Sequence, residues 1–343
     1  MKLCQVETAM SFFVFCHRSN VFFTAKYACS MRNKKLLLNK IVVSAAACFA
    51  LAMIIFPEVT EEGAKMAIIL WLNAIVPVLL PFFIFSDFIK RSGDLAKLPP
   101  RIYPFIMGFL SGYPMGAKVT GDYVREGRLT LDEGRAILSY SMVTGPAFIL
   151  FTVGQFIGSS RAAALVAAAH YAGALANGFF YRQGRIRTGR KAAAKPITSR
   201  KPTTPITPVK SDYMENFTAA ILGGFKAMAI ILAYLIVFYI GIDLASRAGL
   251  FAAIDNKTVC ACLKGLLEMT IGTNQVGMCD IGIEYKTVLA AMLVSFGGLS
   301  VAGQSASMTR NSGLGFKDIL LMKLTHGMLA AIFAILLTRF VVL

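Results

Sequence analysis

Long apolar runs recur along the chain, and short polar or basic segments separate them. Several runs approach the roughly 20 residues that a helix needs to cross the hydrocarbon core of a bilayer. The first, 36–56, has basic residues before it and glutamates after it, so the positive-inside rule places the N-terminus in the cytoplasm. A cleaved signal peptide is the rival interpretation, but no clear small-residue cleavage site precedes Pro57. The pattern predicts an all-α polytopic membrane protein.

The apolar pattern predicts seven spans and two re-entrant hairpins. The spans are residues 36–56, 64–89, 130–156, 162–181, 217–244, 287–307 and 319–343, and the hairpins are 103–125 and 260–278. Basic residues at both ends of the first hairpin place its two ends on one side of the membrane. This count leaves the N-terminus inside and the C-terminus outside.

Four of the predicted elements are interrupted near their centres by glycine or proline. The breaks are residues 111–116, 144–146, 272–277 and 297–300. In the first, Gly112 favours non-helical geometry, while Pro114 removes a backbone donor and restrains Tyr113. Inside a bilayer such a break is tolerated only where protein or a water-filled cavity satisfies the freed backbone groups. Each break therefore marks a candidate site.

The order helix, hairpin, broken helix, helix occurs twice. We predict five regions: a poorly ordered extension (1–30), a leading transmembrane helix (31–58), a first repeat (59–181), a basic cytoplasmic linker (182–212) and a second repeat (213–343). The first repeat begins outside and the second begins inside, so the two are inverted. Matching interruptions in inverted halves are typical of a transporter binding site at the membrane midplane.

The charge of the chain is strongly basic, with a formal net charge of +17, 56% hydrophobic residues and a mean hydropathy of +0.64. The basic residues cluster in short segments between apolar runs, and this pattern reports membrane orientation and not nucleic-acid binding. The segment 182–210 alone holds nine Lys and Arg and four Pro. Binding of this linker to anionic lipid headgroups is the alternative to a purely topogenic role.

Polar groups at the breaks are the candidate substrate-binding residues, because half-helix ends expose backbone N–H and carbonyl groups there. They are Ser111, Gly112, Tyr113, Pro114, Gly116, Lys118, Thr144, Gly145, Pro146, Thr273, Asn274, Gln275, Gly297, Gly298, Gln304 and Ser305. Such a set suits an anionic or polar planar solute. Hydrogen bonding between helices is the structural alternative. Lys118 either supplies positive charge to an anion or pairs with Asp122, four residues later. The structural alternative is that its side chain extends to the cytoplasmic surface of the membrane.

Catalytic, metal and cofactor signatures do not stand out. Ser111 and Lys118 are separated by the break and do not form a recognisable nucleophile pair, so we expect no enzyme and no catalytic residue. The seven cysteines and three histidines have no metal-ligand spacing, and we expect no metal and no cofactor. Glu268 either couples ion movement to transport or forms a structural pair. His170 and His326, in the closing spans of the two halves, either hydrogen-bond a neighbouring helix or relay protons.

Three sequence motifs resemble those of a known family. They are Gly-Phe-Leu-Ser-Gly-Tyr-Pro-Met-Gly-Ala-Lys at 108–118, Gly-Pro-Ala-Phe-Ile at 145–149, and Phe-Gly-Gly-Leu-Ser-Val-Ala-Gly-Gln-Ser at 296–305. They resemble the YlbJ-type sporulation integral membrane proteins of the nucleoside-recognition or Gate-domain group. The likeness runs from about residue 31 to the C-terminus.

The resemblance implies transport of a small organic anion during sporulation, with dipicolinic acid moving from the mother cell toward the forespore. It also implies a multi-pass protein of the cell membrane, associated with the forespore. Because the wider group resembles concentrative nucleoside transporters, a nucleoside-like polar heterocycle is an alternative substrate. A non-transporting scaffold for spore-envelope assembly is a further alternative. The expected partners are the solute and the lipid bilayer, without nucleic acid, and a homo-oligomer is left open.

Overall fold

A computed structural model describes residues 40–91, 98–187 and 212–341. The predicted extension 1–30, the first residues of the leading span and most of the basic linker lie outside the described residues. The described residues fall into two units, one that ends at Val59 and one that begins at Thr60. In the first unit, the described residues form an apolar helix, α1 (Lys40–Ile55), whose side chains are mostly exposed.

Every regular element in the described residues is a helix. The helices after α1 are α2 (Pro57–Leu70), α3 (Val76–Arg91), α4 (Tyr103–Ser111), α5 (Tyr113–Arg125), α6 (Leu131–Ser141), α7 (Gly154–Ile157), α8 (Ser160–Arg187), α9 (Tyr213–Arg247), α10 (Lys257–Leu267), α11 (Met269–Met278), α12 (Ile283–Phe296), α13 (Gly298–Met308) and α14 (Phe316–Phe340). Two π-helical segments, Trp71–Ile75 and Phe148–Val153, join α2 to α3 and precede α7.

Five helical stretches in the described residues are long and apolar enough to cross a membrane. They are Pro57–Ile89, Ser160–Gln183, Tyr213–Arg247, Ile283–Met308 and Phe316–Phe340. The other two predicted spans contain shorter apolar helices, Lys40–Ile55 and Phe148–Ile157. The prediction of an all-α polytopic membrane protein is thereby confirmed.

The π segment before α3 has a cause in the sequence. Pro77 cannot donate a hydrogen bond to the preceding turn, and its ring would collide with the carbonyl of Asn73 in a regular α-helix. The wider turn at Trp71–Ile75 removes that collision while the helix continues on both sides. The proline therefore distorts this span without ending it.

The first hairpin breaks at Gly112, as the sequence predicts. This residue has φ 78° and ψ −172°, a conformation that glycine adopts without steric cost. The arms α4 and α5 have 9 and 13 residues, so at about 1.5 Å per residue neither reaches across a bilayer. A Cβ atom at Gly108 or Gly116 would collide with the carbonyl oxygen of Ser141, so these glycines let both arms pack against the end of α6.

The predicted position of the second break, 272–277, is wrong. Those residues lie within α11, and the break falls at Glu268, which has φ −142° and ψ 115°. Gly272 serves a different purpose, because a Cβ there would collide with the Cα of Gly265 on the opposite arm. The glycines of this hairpin therefore permit close packing of two helices, and an extended glutamate separates them.

The remaining two interruptions fall where the sequence places them. The helix predicted over 130–156 begins with a capping box, in which the Thr130 hydroxyl accepts the Glu133 N–H and the Thr130 N–H donates to the Glu133 carboxylate. It loses helical structure between α6 and Pro146. The other break is confined to Gly297 and Gly298, with φ 81° and 76°, while residues 299 and 300 already belong to α13.

Corresponding elements of the two halves pack against one another. Helix α3 contacts α9, and α8 contacts α14. The hairpin arm α5 contacts α13 of the second half, and the matching arm α11 contacts α7 of the first. This exchange is what a pair of repeats related by a two-fold axis would produce. The reversed membrane orientation of the second half and the region boundaries stay predictions.

Candidate functional site

An internal cavity of about 80 Å³, here called the inner cavity, lies where interrupted elements from both halves meet. The predicted site residues that line it are Ser111, Gly112, Tyr113, Thr144, Gly145 and Gln304. Residues of α3 and α9 close its sides. The volume holds a few water molecules but is smaller than the roughly 300–1,000 Å³ of common ligand pockets.

A second cavity, of about 270 Å³, adjoins the inner cavity and is here called the vestibule. Both are lined by Phe83, Ser111, Ile231, Tyr234 and Gln304. The vestibule also carries the charged side chains of Asp87, Arg91 and Lys118. Since the basic residues after α3 are predicted to face the cytoplasm, the vestibule is the predicted cytoplasmic access to the inner cavity.

Other predicted site residues do not line either cavity. They are Gly116, Pro146, Thr273, Asn274, Gln275, Gly297, Gly298 and Ser305. Pro114 lies in α5, directly after Tyr113. The residues at 273–275 lie well inside α11, so Asn274 is about 9 Å along the helix from Glu268, at 1.5 Å per residue. Moving the break to Glu268 therefore removes them from the cavity wall.

Glu268 and Thr270 occupy the wall where the sequence predicts residues 273–275. The Glu268 side chain is nearly inaccessible, with 4% of its surface exposed. Its Oε2 accepts the Ile271 N–H at 2.9 Å and caps α11. Neither α5 nor α13 has a side-chain cap at its N-terminus, so their positive helix ends remain uncompensated by a carboxylate.

The Thr144 hydroxyl is the strongest sign of an unmet binding group in the inner cavity. Thr144 lines the cavity and is buried, and its Oγ1 has no hydrogen-bond partner among the described residues. A buried hydroxyl without a partner is destabilising, because it has lost its hydrogen bonds to water. A bound solute with a polar group would satisfy it. Thr273 and Ser305 also have unpartnered buried hydroxyls, but neither faces this cavity.

Tyr113 belongs to a group of buried side chains that is here called the buried polar cluster. Its members are Tyr113, His170, Lys323 and His326. The Lys323 ammonium donates to the Met142 carbonyl at 3.3 Å and lies 3.8 Å from the centre of the Tyr113 ring. Within the described residues Lys323 forms no salt bridge, so a carbonyl and the electron-rich ring face are its polar contacts. The Tyr113 hydroxyl in turn donates to the Val294 carbonyl.

The two histidines of the cluster are tied into this network. The Nε2 atom of His170 accepts the Thr144 N–H at 3.0 Å, so Nδ1 carries the proton and donates to the Ser295 hydroxyl at 2.8 Å. His326 donates from Nε2 to the His170 carbonyl at 2.9 Å. These contacts match the structural alternative, helix-to-helix hydrogen bonding, and a proton relay stays a hypothesis.

Lys118 forms the ion pair that its spacing predicts. Its ammonium lies 2.9 Å from the Asp122 carboxylate, which Arg125 also contacts. The Lys118 side chain is 44% exposed and lines the vestibule. Pairing lowers its net attraction for an anion but leaves a positive group beside the access route.

The sequence did not single out Lys323 as a candidate. The available signal was a lysine inside the apolar run 319–343, three residues before His326 and therefore on the same helix face. Only the fold reveals that Tyr113 and Met142, far away in the sequence, surround it.

The chain matches no protein-family model and no solved structure. It is similar to the sporulation integral membrane protein YlbJ of Bacillus subtilis (strain 168), with 26% identity over an alignment of 346 positions. That alignment covers 88% of this chain and 83% of the relative. Together with the all-α fold and its apolar helices of membrane-spanning length, it supports a multi-pass integral membrane protein that is similar to YlbJ.

Proposed function

We propose that this protein is a transporter that moves a small organic anion across a membrane during sporulation, without catalysing a reaction. The sporulation context comes from the name of its relative. The observation that carries the proposal is the inner cavity, because ends of interrupted elements from both halves line it and the vestibule adjoins it. Interrupted helices that meet at an internal cavity are the usual construction of secondary transporter sites.

An anion is the proposed substrate because of the donors at the cavity. The N-terminus of α5 opens beside Gly112 without a side-chain cap, and the partial positive charge of a helix N-terminus favours anions. The unpartnered Thr144 hydroxyl offers a further hydrogen bond. Lys118 and Arg91 place two cationic groups along the vestibule, each in an ion pair, with Asp122 and Asp87 respectively.

Dipicolinate is the proposed anion, and this identity rests on the family resemblance. It is planar and carries two carboxylates, which suits a narrow cavity with helix-end donors. The inner cavity is smaller than common ligand pockets, so binding would require α3 and α9 to separate from the hairpin. We propose that the present arrangement is a contracted state of the transport cycle.

One observation favours the alternative substrate, a nucleoside-like polar heterocycle. Glu268 places a carboxyl group in the wall of the inner cavity, where it would accept hydrogen bonds from hydroxyl or ring N–H groups. An ionised carboxylate would also repel a dianion. Competition between the two solutes therefore distinguishes the substrates.

Uptake into proteoliposomes tests the proposal. Purified protein should accumulate labelled dipicolinate above the level in protein-free vesicles, and an excess of unlabelled nucleoside should not compete. Thr144→Val removes only the unpartnered hydroxyl and should weaken uptake, whereas Thr338→Val removes a hydroxyl that bonds within its own helix and should not. Competition by nucleosides would favour the alternative substrate. Folded protein that moves neither solute would exclude transport of both and leave the scaffold alternative.

A further inference from the structure

Glu268 is a buried carboxyl group without a positive partner. Only 4% of its surface is exposed, and within the described residues it forms no salt bridge. Among the described residues, no Lys, Arg or His lines the inner cavity. A permanently ionised carboxylate in such a place is costly, because burial removes its hydration and no nearby cation replaces it. The site therefore favours a group that gains and loses its charge.

The groups that face Glu268 are neutral donors and acceptors. Tyr113 and Tyr234 line the same cavity, and Tyr239 of α9 is close enough to interact with the carboxyl group electrostatically. The Gly297–Gly298 break lies close to the Glu268 backbone and to the aliphatic part of the Lys323 side chain. A Cβ on Gly298 would lie 3.1 Å from the Glu268 Cα, and one on Gly297 would lie 3.3 Å from the Lys323 Cε.

The hydrogen bonds of Glu268 suit both protonation states. Oε2 accepts the backbone N–H of Ile271, which holds the carboxyl group in place. Near Oε1 lie two hydroxyls, Thr270 at 3.3 Å and Ser300 at 3.5 Å. A hydroxyl can donate to an ionised carboxylate, or rotate and accept from a protonated one. Glu268 can therefore change its charge without a change in the backbone around it.

We propose that Glu268 binds a proton during each transport cycle and couples solute movement to the movement of that proton. This inference rests on the proposed transport function. The proton comes from a hydronium ion that enters through the vestibule and is left as water, and it forms an O–H bond at Oε1 that turns the carboxylate into a neutral carboxylic acid. It leaves when the cavity opens to the opposite side, and the carboxylate is restored. Neutralising Glu268 also removes its repulsion of an anion, so the proton and the anion bind together.

Transport by Glu268→Gln tests the coupling. The amide oxygen of glutamine still accepts the Ile271 N–H, so α11 keeps its cap, but the side chain can no longer bind and release a proton. The variant should lose accumulation of labelled dipicolinate driven by a pH gradient, while it still exchanges labelled for unlabelled dipicolinate at equilibrium. Glu284→Gln, the same change at an exposed position, should leave both activities as in the wild type. Wild-type accumulation in the Glu268 variant, or accumulation that follows a sodium gradient and ignores pH, would overturn the proposal. If the Glu268 variant loses both exchange and accumulation, Glu268 belongs to the solute-binding site, and this outcome would also overturn the proposal.

Infrared difference spectroscopy of the detergent-solubilised protein gives a readout that needs no substrate. The wild type should show a protonated carboxyl band that appears and disappears with pH, and Glu268→Gln should lack it while Glu284→Gln retains it. If this band is present but dipicolinate is not transported, the proposed substrate fails and proton binding by Glu268 stands. If the band is unchanged in Glu268→Gln, Glu268 does not titrate and the coupling proposal fails.

Discussion

The ammonium nitrogen of Lys323 lies 3.8 Å from the centre of the Tyr113 ring. Lys323 belongs to the last helix of the second half, and Tyr113 begins the second arm of the first hairpin. Tyr113 also lines the inner cavity, so a single aromatic ring separates the buried amino group of Lys323 from the candidate solute site. A movement of the first hairpin would change the environment of both.

Replacing Lys323 with Met should separate stability from function. Methionine has a similar length but no amino group, so the variant does not have to bury an ammonium that lacks a carboxylate partner among the described residues. We therefore expect the free energy of unfolding in detergent to stay the same or to rise, by up to about 4 kcal/mol. Dipicolinate uptake should fall, because the charge next to Tyr113 is lost.

Lys323→Ala provides the contrast, because it removes the same charge and also leaves a void. It should lower the free energy of unfolding by about 2–5 kcal/mol. Thermal unfolding of both variants, followed by tryptophan fluorescence, measures the difference. If Lys323→Met proves as unstable as Lys323→Ala, the ammonium contributes to stability and the argument from burial is wrong.

The sequence predicts a break well where the backbone requires glycine and poorly where it does not. Gly112 and Gly297 have positive φ angles, which few other residues adopt, so the breaks predicted at these glycines are found there. Glu268 lies in an extended conformation that any residue can adopt, and nothing local in the sequence marks it. Conversely, Gly272 lies within a helix, and a side chain is excluded there because Gly265 packs against it. That neighbour is known only from the fold.

The residues of the candidate site are likewise predicted where a local sequence signal marks them and missed where only the packing of the fold brings them together. Tyr113 and Thr144 lie beside breaks that local sequence predicts, and they line the inner cavity. Lys323 lies inside an apolar helix, and its surroundings come from residues in the other half of the chain. Its contacts depend on how the two halves pack, which local sequence patterns do not contain.

Replacing Gly116 with Ala should destabilise the first hairpin. The new Cβ would collide with the Ser141 carbonyl oxygen, a backbone atom that cannot rotate away, so α5 and α6 would have to separate. Overpacking of this kind costs about 1–3 kcal/mol of unfolding free energy. Gly303→Ala is the matched control, because nothing lies within 4 Å of a Cβ at that helical position.

The control should be neutral or should gain up to about 1 kcal/mol from the higher helix propensity of alanine. Melting temperatures in the same detergent compare the two variants. Equal melting temperatures for Gly116→Ala and Gly303→Ala would show that α5 and α6 separate at no measurable cost and would contradict this prediction.

Replacing His170 with Phe should destabilise the protein more than replacing its neighbour Tyr171 with Phe. The loss of His170 leaves two buried groups without their partner, the Thr144 N–H and the Ser295 hydroxyl. We expect a loss of about 1–3 kcal/mol for each such group. Tyr171→Phe removes one hydrogen bond, from a partly buried hydroxyl to the Thr144 carbonyl, and should cost about 1 kcal/mol. Chemical denaturation in detergent measures both, and an equal loss for the two variants would contradict the arrangement described here.

Replacing Lys118 with Met should abolish dipicolinate uptake while leaving protein levels and stability normal. The Lys118–Asp122 pair is partly exposed, and such pairs contribute about 0–1 kcal/mol to folding. Its role in uptake would be electrostatic, because Lys118 lines the vestibule and raises the local concentration of an anion there. Lys65→Met removes a lysine from a pair with the same spacing, Glu61–Lys65, outside both cavities, and should leave uptake unchanged. Because salt screens an electrostatic effect, the rate of dipicolinate uptake by the wild type should also fall as ionic strength rises. Uptake by Lys118→Met equal to that of Lys65→Met would remove Lys118 from the substrate route and would leave anion recognition to the end of α5 and the Thr144 hydroxyl.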